Sequence, residues 1–219
     1  MIAILGFMAL ALVLGFKHSY DSDHLIAVSN ILRKVDSIKS SVKVGFSWAM
    51  GHMITATVIT IILYLFKETV LNGVLPHFEK IAGIMLIILG MLSFRDFFTF
   101  HFHKHSHGSR AHSHLHLHEK HQETHFHKHM FGIGIIHGLA SNDELLLLFT
   151  ASFAVTSLGG LLLGLGIFSV GVVLGMLIFT CIFSYPLVKL HSNLVYRSVT
   201  FVTGSAGVIY GALMALSVM

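Results

Sequence analysis

Long apolar runs, separated by short polar segments, extend through most of the chain. The pattern predicts six membrane spans, at about 1–32, 44–66, 79–99, 130–156, 159–186 and 196–218. Each run approaches or exceeds the roughly 20 residues that a helix needs to cross a bilayer. Most of the lysines and arginines lie between the runs. We therefore predict an all-α integral membrane protein, built as a bundle of six transmembrane helices.

The first span has a block of polar residues near its centre. The apolar residues before the block, and those after it, are each too few to cross a bilayer alone, so we treat the two parts as one span. Ionisable groups at that depth are costly and usually face a cavity or a partner, which makes them functional candidates. The ionisable residues of the block, apart from Lys17, are His18, Asp21, Asp23 and His24.

These residue types indicate a metal site. In a continuous helix, His18, Asp21 and His24 follow one another at i, i+3 spacing and share a face, whereas Asp23 projects elsewhere unless the helix is distorted. Imidazole nitrogens suit nickel, zinc and copper, and carboxylates compensate charge or orient the histidines. A proton relay, or a buried His–Asp pair without metal, is the alternative. Two histidines and two aspartates within seven residues favour the metal.

Two later spans offer further polar residues. His52 follows Gly51 in the second span, at a depth comparable with that of His24. A single histidine in a span is often only a packing donor, but the first span lacks a complete site. In the fourth span Asp143 and its neighbour Glu144 are too polar to face lipid. The predicted metal-site residues are His18, Asp21, Asp23, His24, His52, His137 and Asp143.

A weak internal repeat relates the two halves of the chain. His18 is followed five residues later by Asp23, and His137 is followed five residues later by Asn142. Phe46-Ser47 in span two also has a counterpart, Phe168-Ser169, in span five. Because each half would contain three spans, the second half would be inverted, as in many transporters. We divide the chain into a first three-helix repeat (1–100), a His-rich loop (101–129) and a second repeat (130–219).

The distribution of charge predicts the orientation. The first, third and fifth loops hold most of the cationic residues, so the positive-inside rule places these loops in the cytoplasm and both termini outside. The net charge of +4 is therefore no sign of nucleic-acid binding. We expect a multi-pass protein of a prokaryotic cytoplasmic membrane with the lipid bilayer as its surroundings. A homo-oligomer is compatible with the sequence.

The third loop is unusually rich in histidine. Residues 101–129 hold 12 of the 18 histidines, many in His-x-His repeats. Low-complexity histidine tracts indicate metal binding by composition. A flexible array of interchangeable sites can concentrate, buffer or sense a metal without selecting one tightly. A soluble linker is the alternative interpretation, and we do not expect the loop to be the transport site.

Two motifs carry a family resemblance. His18-x4-Asp23-His24, followed by Leu-Ile-Ala-Val-Ser-Asn30, resembles the signature helix of the nickel/cobalt transporter family. The segment from Phe46 to His52 resembles that family's second motif, in which Gly-His follows Phe-Ser. The His-rich loop is similar to that of the related exporters. The resemblance implies that His18, Asp23, His24 and His52 recognise the metal.

The chain also departs from the family pattern. The bacterial permeases have eight spans, and their Asp-Thr-Ala-Thr-Glu motif is absent, with Asn142-Asp143-Glu144 in a comparable place. The segment His137-Gly-Leu-Ala looks more like a urease-associated branch. We expect a transporter of Ni²⁺ or Co²⁺, with the ion as transported substrate, and not an enzyme. The alternatives are a carrier of zinc or another divalent cation, a membrane metalloenzyme, and a sensor or storage protein that works through its loop.

Overall fold

The structure is a computed structural model that describes residues 2–66, 75–99, 101–107, 110–116, 123–140, 158–190 and 192–216. Within these ranges the chain forms seven helices and two strands. The helices are α1 (Ile2–His18), α2 (Ser22–Leu32), α3 (Ile38–Phe66), α4 (Leu75–Thr99), α5 (Glu123–Ala140), α6 (Leu158–Leu190) and α7 (Asn193–Leu216). The strands are β1 (His101–His107) and β2 (Arg110–His116).

Four predicted spans correspond to helices that are long and apolar enough to cross a bilayer. They are Ile38–Ile62, His77–Phe98, Gly159–Leu190 and Leu194–Leu216. The other two predicted spans overlap with the shorter apolar segments Leu5–His18 and His129–Leu139. Residues 141–156 of the predicted fourth span lie outside the described residues. The count of six spans therefore stays a prediction.

The burial pattern is that of a protein in lipid. Large apolar side chains such as Val58, Ile88 and Val202 are exposed on the outside of the bundle. Histidine, aspartate, serine and asparagine side chains are buried inside it. A bilayer solvates apolar groups and offers no partners to polar ones, so this arrangement stabilises the bundle in a membrane.

The first predicted span is not one continuous helix. α1 ends at His18, and α2 begins at Ser22 after an extended Asp21 with φ −63° and ψ 145°. The Ser19 hydroxyl donates to the Phe16 carbonyl oxygen at 2.7 Å, which is the type of local bond by which serine competes with a helix. The freed backbone groups are satisfied locally: the Tyr20 amide donates to the Lys17 carbonyl at 2.9 Å, and the Leu25 amide donates to the Asp21 carbonyl at 3.1 Å.

Glycines let three pairs of helices approach backbone to backbone. α1 packs along α6, α3 along α5, and α4 along α7. A Cβ atom at Gly15 would overlap with the Phe168 carbonyl oxygen, and one at Gly134 would overlap with that of Trp48. Small residues at such interfaces are the usual basis of helix packing in membranes. Gly166 in α6, by contrast, has open space where a Cβ atom would lie.

The bundle also contains a buried ion-pair cluster. Asp96 in α4 accepts from Arg33 at 2.6 Å and lies 2.8 Å from the Lys34 Nζ. Arg33 donates in addition to the Tyr196 hydroxyl in α7 at 3.3 Å. The neighbouring Arg95 has an exposed side chain and makes only a 3.9 Å contact with Asp96. The cluster joins the end of α2 to α4 and α7.

The His-rich loop contains regular structure that was not expected. β1 and β2 pair antiparallel, with His101 opposite His116 and His105 opposite His112. The His-x-His alternation has the two-residue period of a strand, and a reading of that period could have predicted the pairing. The strands are confined to the loop, and the described apolar segments are helical as predicted.

Candidate metal centre

Three buried histidines converge beside the break between α1 and α2. One ring nitrogen from each of His18, His24 and His52 lies within 4.8 Å of the others. The three side chains are at most 1% exposed. His18 closes α1, His24 lies in the first turn of α2, and His52 comes from the middle of α3. Because of the break, His18 and His24 of the first predicted span both lie close to His52 of α3.

The separations suit a single metal ion. Two nitrogens bound to one ion at about 2.1 Å are about 3.0–3.4 Å apart at the usual angles. The Nε2 atoms of His18 and His52 are 3.1 Å apart. The His24 nitrogen lies within 4.8 Å of these two, so His24 would move towards them to share the ion.

Hydrogen bonds fix the orientation of two of these rings. His18 Nδ1 is 3.0 Å from an Asp21 carboxylate oxygen, and His24 Nδ1 donates to the His18 carbonyl oxygen at 2.9 Å. With its proton on Nδ1, each ring keeps a lone pair on Nε2. Such outer partners commonly set the tautomer of a metal-binding histidine. Asp21, which is 31% exposed, thus contacts a candidate ligand instead of pointing into the triad.

Asp23 is close to the triad although an ideal helix would direct it elsewhere. One of its carboxylate oxygens is 3.6 Å from His24 Nε2, and the residue is 7% exposed. The shared face that a continuous helix would give His18, Asp21 and His24 does not form, because the helix breaks between His18 and Ser22, which is the distortion that the sequence left open. The break brings Asp23 into the buried cluster and supplies a carboxylate beside the three imidazoles.

His137 from α5 lies at the edge of the same cluster. Its ring centroid is 5.4 Å from that of His24, and its Nδ1 accepts a hydrogen bond from the Trp48 indole at 3.2 Å. His137 Nε2 is buried without a hydrogen-bond partner. His137 is outside the set of three histidines whose nitrogens lie within 4.8 Å. Asp143, the remaining predicted metal-site residue, lies outside the described residues.

Two aromatic residues of the site were not predicted from the sequence. Trp48 stacks on His52 with 5.0 Å between ring centroids, and it meets His24 edge-on at 4.8 Å. Phe168 from α6 lies against His18 with 5.4 Å between centroids. The sequence signals for Trp48 were its place in the Phe46–His52 motif and its position four residues before His52, on the same face of α3. The cluster is therefore buried, polar and flanked by aromatic rings.

Apolar outer surfaces, buried polar residues and a broken helix beside a histidine cluster define the class: a multi-pass membrane protein of the transporter type. In the comparisons, the chain is 31% identical over 209 residues to the urease accessory protein UreH of Bacillus sp. (strain TB-90), covering 95% of this chain and 90% of that protein. The chain belongs to the nickel/cobalt transporter family, in which UreH represents the urease-associated branch.

Shorter matches link it to named metal transporters. The nickel transporter NixA of Staphylococcus aureus is 29% identical over 99 residues, which are 41% of this chain and 29% of that protein. The cobalt transport protein NhlF of Rhodococcus rhodochrous is 29% identical over 87 residues, covering 39% of this chain and 25% of that protein. No family model and no solved structure matches the chain. These relatives are transporters and an accessory protein, in agreement with the prediction of a non-enzyme.

Proposed function

We propose that the chain transports Ni²⁺ or Co²⁺ across the cytoplasmic membrane through the buried triad of His18, His24 and His52. The main support for this proposal is that three imidazole nitrogens lie within 4.8 Å of one another inside an apolar bundle. Similarity to named nickel and cobalt transporters supports the choice of ion. Imidazole is a good ligand for both metals, and the Asp23 carboxylate compensates part of the charge of the divalent ion.

The break in the first span suits a transported ion. The helix dipole places partial negative charge at the C-terminal end of α1, where His18 lies. Discontinuous helices at the bilayer midplane are a common way in which transporters build ion sites. Three neutral nitrogens and a carboxylate can replace part of the hydration shell of the ion while it is enclosed. Asp21, His137 and Asp143 would not bind the ion directly but would influence the residues that do.

An inverted 3+3 repeat would supply the movement, and the helix contacts support it. In each half, the first helix of the repeat lies against the middle helix of the other half through glycine. The paired contacts are Gly15 with Phe168 and Gly134 with Trp48, then Gly171 with Leu12 and Gly51 with Phe131. Both sets keep a spacing of three residues along each helix. These contacts match Trp48, rather than Phe46, with Phe168. Rocking one half against the other would then open the site to alternate sides.

The His-rich loop would gather metal on the cytoplasmic side. The cytoplasmic location of this third loop is predicted by the positive-inside rule, which also places both termini outside. The paired strands bring the histidines of two segments opposite one another along the hairpin backbone. The loop would raise the local concentration of metal ions, and the triad would select and move them.

The test is uptake of radioactive ⁶³Ni²⁺ into proteoliposomes by three forms of the chain. The first is the wild type, the second carries asparagine at the loop histidines between 101 and 121, and the third is His24→Gln. We expect the loop variant to transport nickel and His24→Gln to lose at least about 100-fold in rate at low nickel, because a ligand is removed. Thermal stability in detergent controls for folding. Wild-type transport by a well-folded His24→Gln would contradict the proposal.

A further inference from the structure

His137 is held by a hydrogen bond from the side chain of a neighbouring aromatic residue. The Trp48 indole nitrogen donates to His137 Nδ1 at 3.2 Å. An indole N–H can only donate, so this imidazole nitrogen must carry a lone pair. A neutral imidazole carries its single proton on the other nitrogen. We therefore assign the proton of His137 to Nε2, which is buried and has no partner.

This assignment removes His137 from the set of ligands. A metal binds only a nitrogen with a free lone pair, and the lone pair of His137 is occupied by the Trp48 indole. His18 and His24 have the opposite tautomer, because their Nδ1 atoms donate to Asp21 and to the His18 carbonyl. In the cluster, His137 is thus a hydrogen-bond donor, suited to a water or a carboxylate oxygen at the ion.

Trp48 is rigidly placed for this role. It is fully buried, stacks on His52 at an interplanar angle of 20°, and meets His24 edge-on. Its carbonyl oxygen is in contact with α5 at Gly134, one turn before His137. The same close approach of α3 and α5 therefore sets both partners of the Trp48–His137 hydrogen bond.

We propose that Trp48 determines metal specificity by keeping His137 as a donor instead of a fourth nitrogen ligand. The inference rests on the proposed function of the triad. Three nitrogens leave the site open, so that a carboxylate and water can add further ligands to Ni²⁺ or Co²⁺. A fourth nitrogen would close the site around a four-coordinate ion, which is the arrangement that holds Zn²⁺ most firmly in proteins. The indole N–H thus withholds the fourth nitrogen that would favour zinc.

The first test measures initial uptake of ⁶³Ni²⁺ and ⁶⁵Zn²⁺ into proteoliposomes containing the full chain. Trp48→Phe keeps an aromatic ring but removes the N–H, which frees His137 to take the other tautomer. We expect the ratio of nickel to zinc transport efficiency to fall by about tenfold or more, the usual effect of losing an outer partner. The double variant Trp48→Phe/His137→Gln lacks the fourth imidazole and should recover most of the ratio. An unchanged ratio in a folded Trp48→Phe would overturn the proposal.

A second variant keeps the proposal falsifiable if Trp48→Phe does not fold. Glutamine at position 137 can accept from Trp48 and still donate, so His137→Gln should lower nickel efficiency by less than about tenfold. His24→Gln should lower it by at least about 100-fold, because it removes a ligand. Equal losses in the two variants would make His137 a ligand and overturn the proposal. Wild-type nickel transport by His24→Gln would instead contradict the proposed function itself.

Discussion

Hydrogen-bond partners at the site determine which nitrogen of a neighbouring imidazole carries the proton and which keeps its lone pair. Asp21 holds the proton of His18 on Nδ1 through a 3.0 Å contact, and the His18 carbonyl does the same for His24. His52 has no such partner, because its Nδ1 is buried without a hydrogen bond. His52 can therefore exchange tautomers more easily than the other two histidines, donating to His18 in the absence of an ion and binding through Nε2 in its presence.

Replacing Asp21 should weaken metal binding without removing a ligand. Asp21→Ala leaves the His18 ring without its orienting carboxylate, so we expect the nickel KM for transport to rise by about 10- to 100-fold. Asp21→Asn should lie between this variant and the wild type, since an amide oxygen still accepts the His18 proton. Lys17→Gln is the matched control, because Lys17 touches the same carboxylate from an exposed position at 3.9 Å. A wild-type KM in Asp21→Ala would show that this contact does not act on the site.

The sequence predicted which residues would form the site better than it predicted their geometry. Ionisable side chains inside an apolar run are costly, which singled out His18, His24 and Asp23. Their convergence could not be derived from helical spacing, because the helix breaks at His18 and resumes at Ser22. Trp48 also escaped prediction, since a tryptophan in a span is ordinarily a packing residue, and its contact with His137 joins residues far apart in the chain.

At the level of helices, close packing depends on glycines at particular positions. Gly134→Val would place its side chain against the backbone of α3 at Trp48 and His52. We expect this variant to lose thermal stability in detergent and to lose transport, because a backbone cannot yield as a flexible side chain can. Gly132→Val in the same helix has no atom within 4 Å of its new Cβ and is the matched control. Equal stability of the two variants would contradict this packing of α3 on α5.

The buried cluster around Asp96 should contribute strongly to stability. Asp96→Asn leaves the buried Arg33 without its 2.6 Å carboxylate partner, and removing one partner of such a pair typically costs about 3–5 kcal/mol. We therefore expect a large drop in the detergent melting temperature. Arg95→Gln should cause little change, since Arg95 is 57% exposed and 3.9 Å from Asp96. A melting temperature for Asp96→Asn equal to that of Arg95→Gln would contradict this account.

For the whole molecule, the relative directions of the packed helices agree with the predicted topology. α1 runs parallel to α6, with Phe7 at Gly164 and Ser19 at Gly175. α4 runs antiparallel to α7, since Gly83 lies at Gly211 while Gly90 lies at Gly204. Alternating membrane crossings require this set of directions. Hydropathy predicts the runs and, with alternating crossings, their directions, but it does not predict which runs pack together.

Labelling of single cysteines should test this topology. In a Cys181→Ser background, Asp36→Cys and Gly159→Cys lie at exposed positions in the first loop and at the start of α6. We expect an impermeant maleimide added to intact cells to label position 159 but not position 36, because cationic loops stay in the cytoplasm. Permeabilised cells should show labelling at both positions. Labelling of both in intact cells would contradict the orientation.

The central claim, that the ion occupies the histidine triad, can be tested by the fluorescence of Trp48. Trp48 is the single tryptophan of the chain, and it touches two of the three proposed ligands. Ni²⁺ and Co²⁺ have partly filled d shells and quench an indole at contact, whereas Zn²⁺ does not. We predict saturable quenching by Ni²⁺ in the wild type and in a variant with asparagine at the loop histidines between 101 and 121, and none in His24→Gln. Quenching that survives in His24→Gln, or disappears with the loop histidines, would contradict the account.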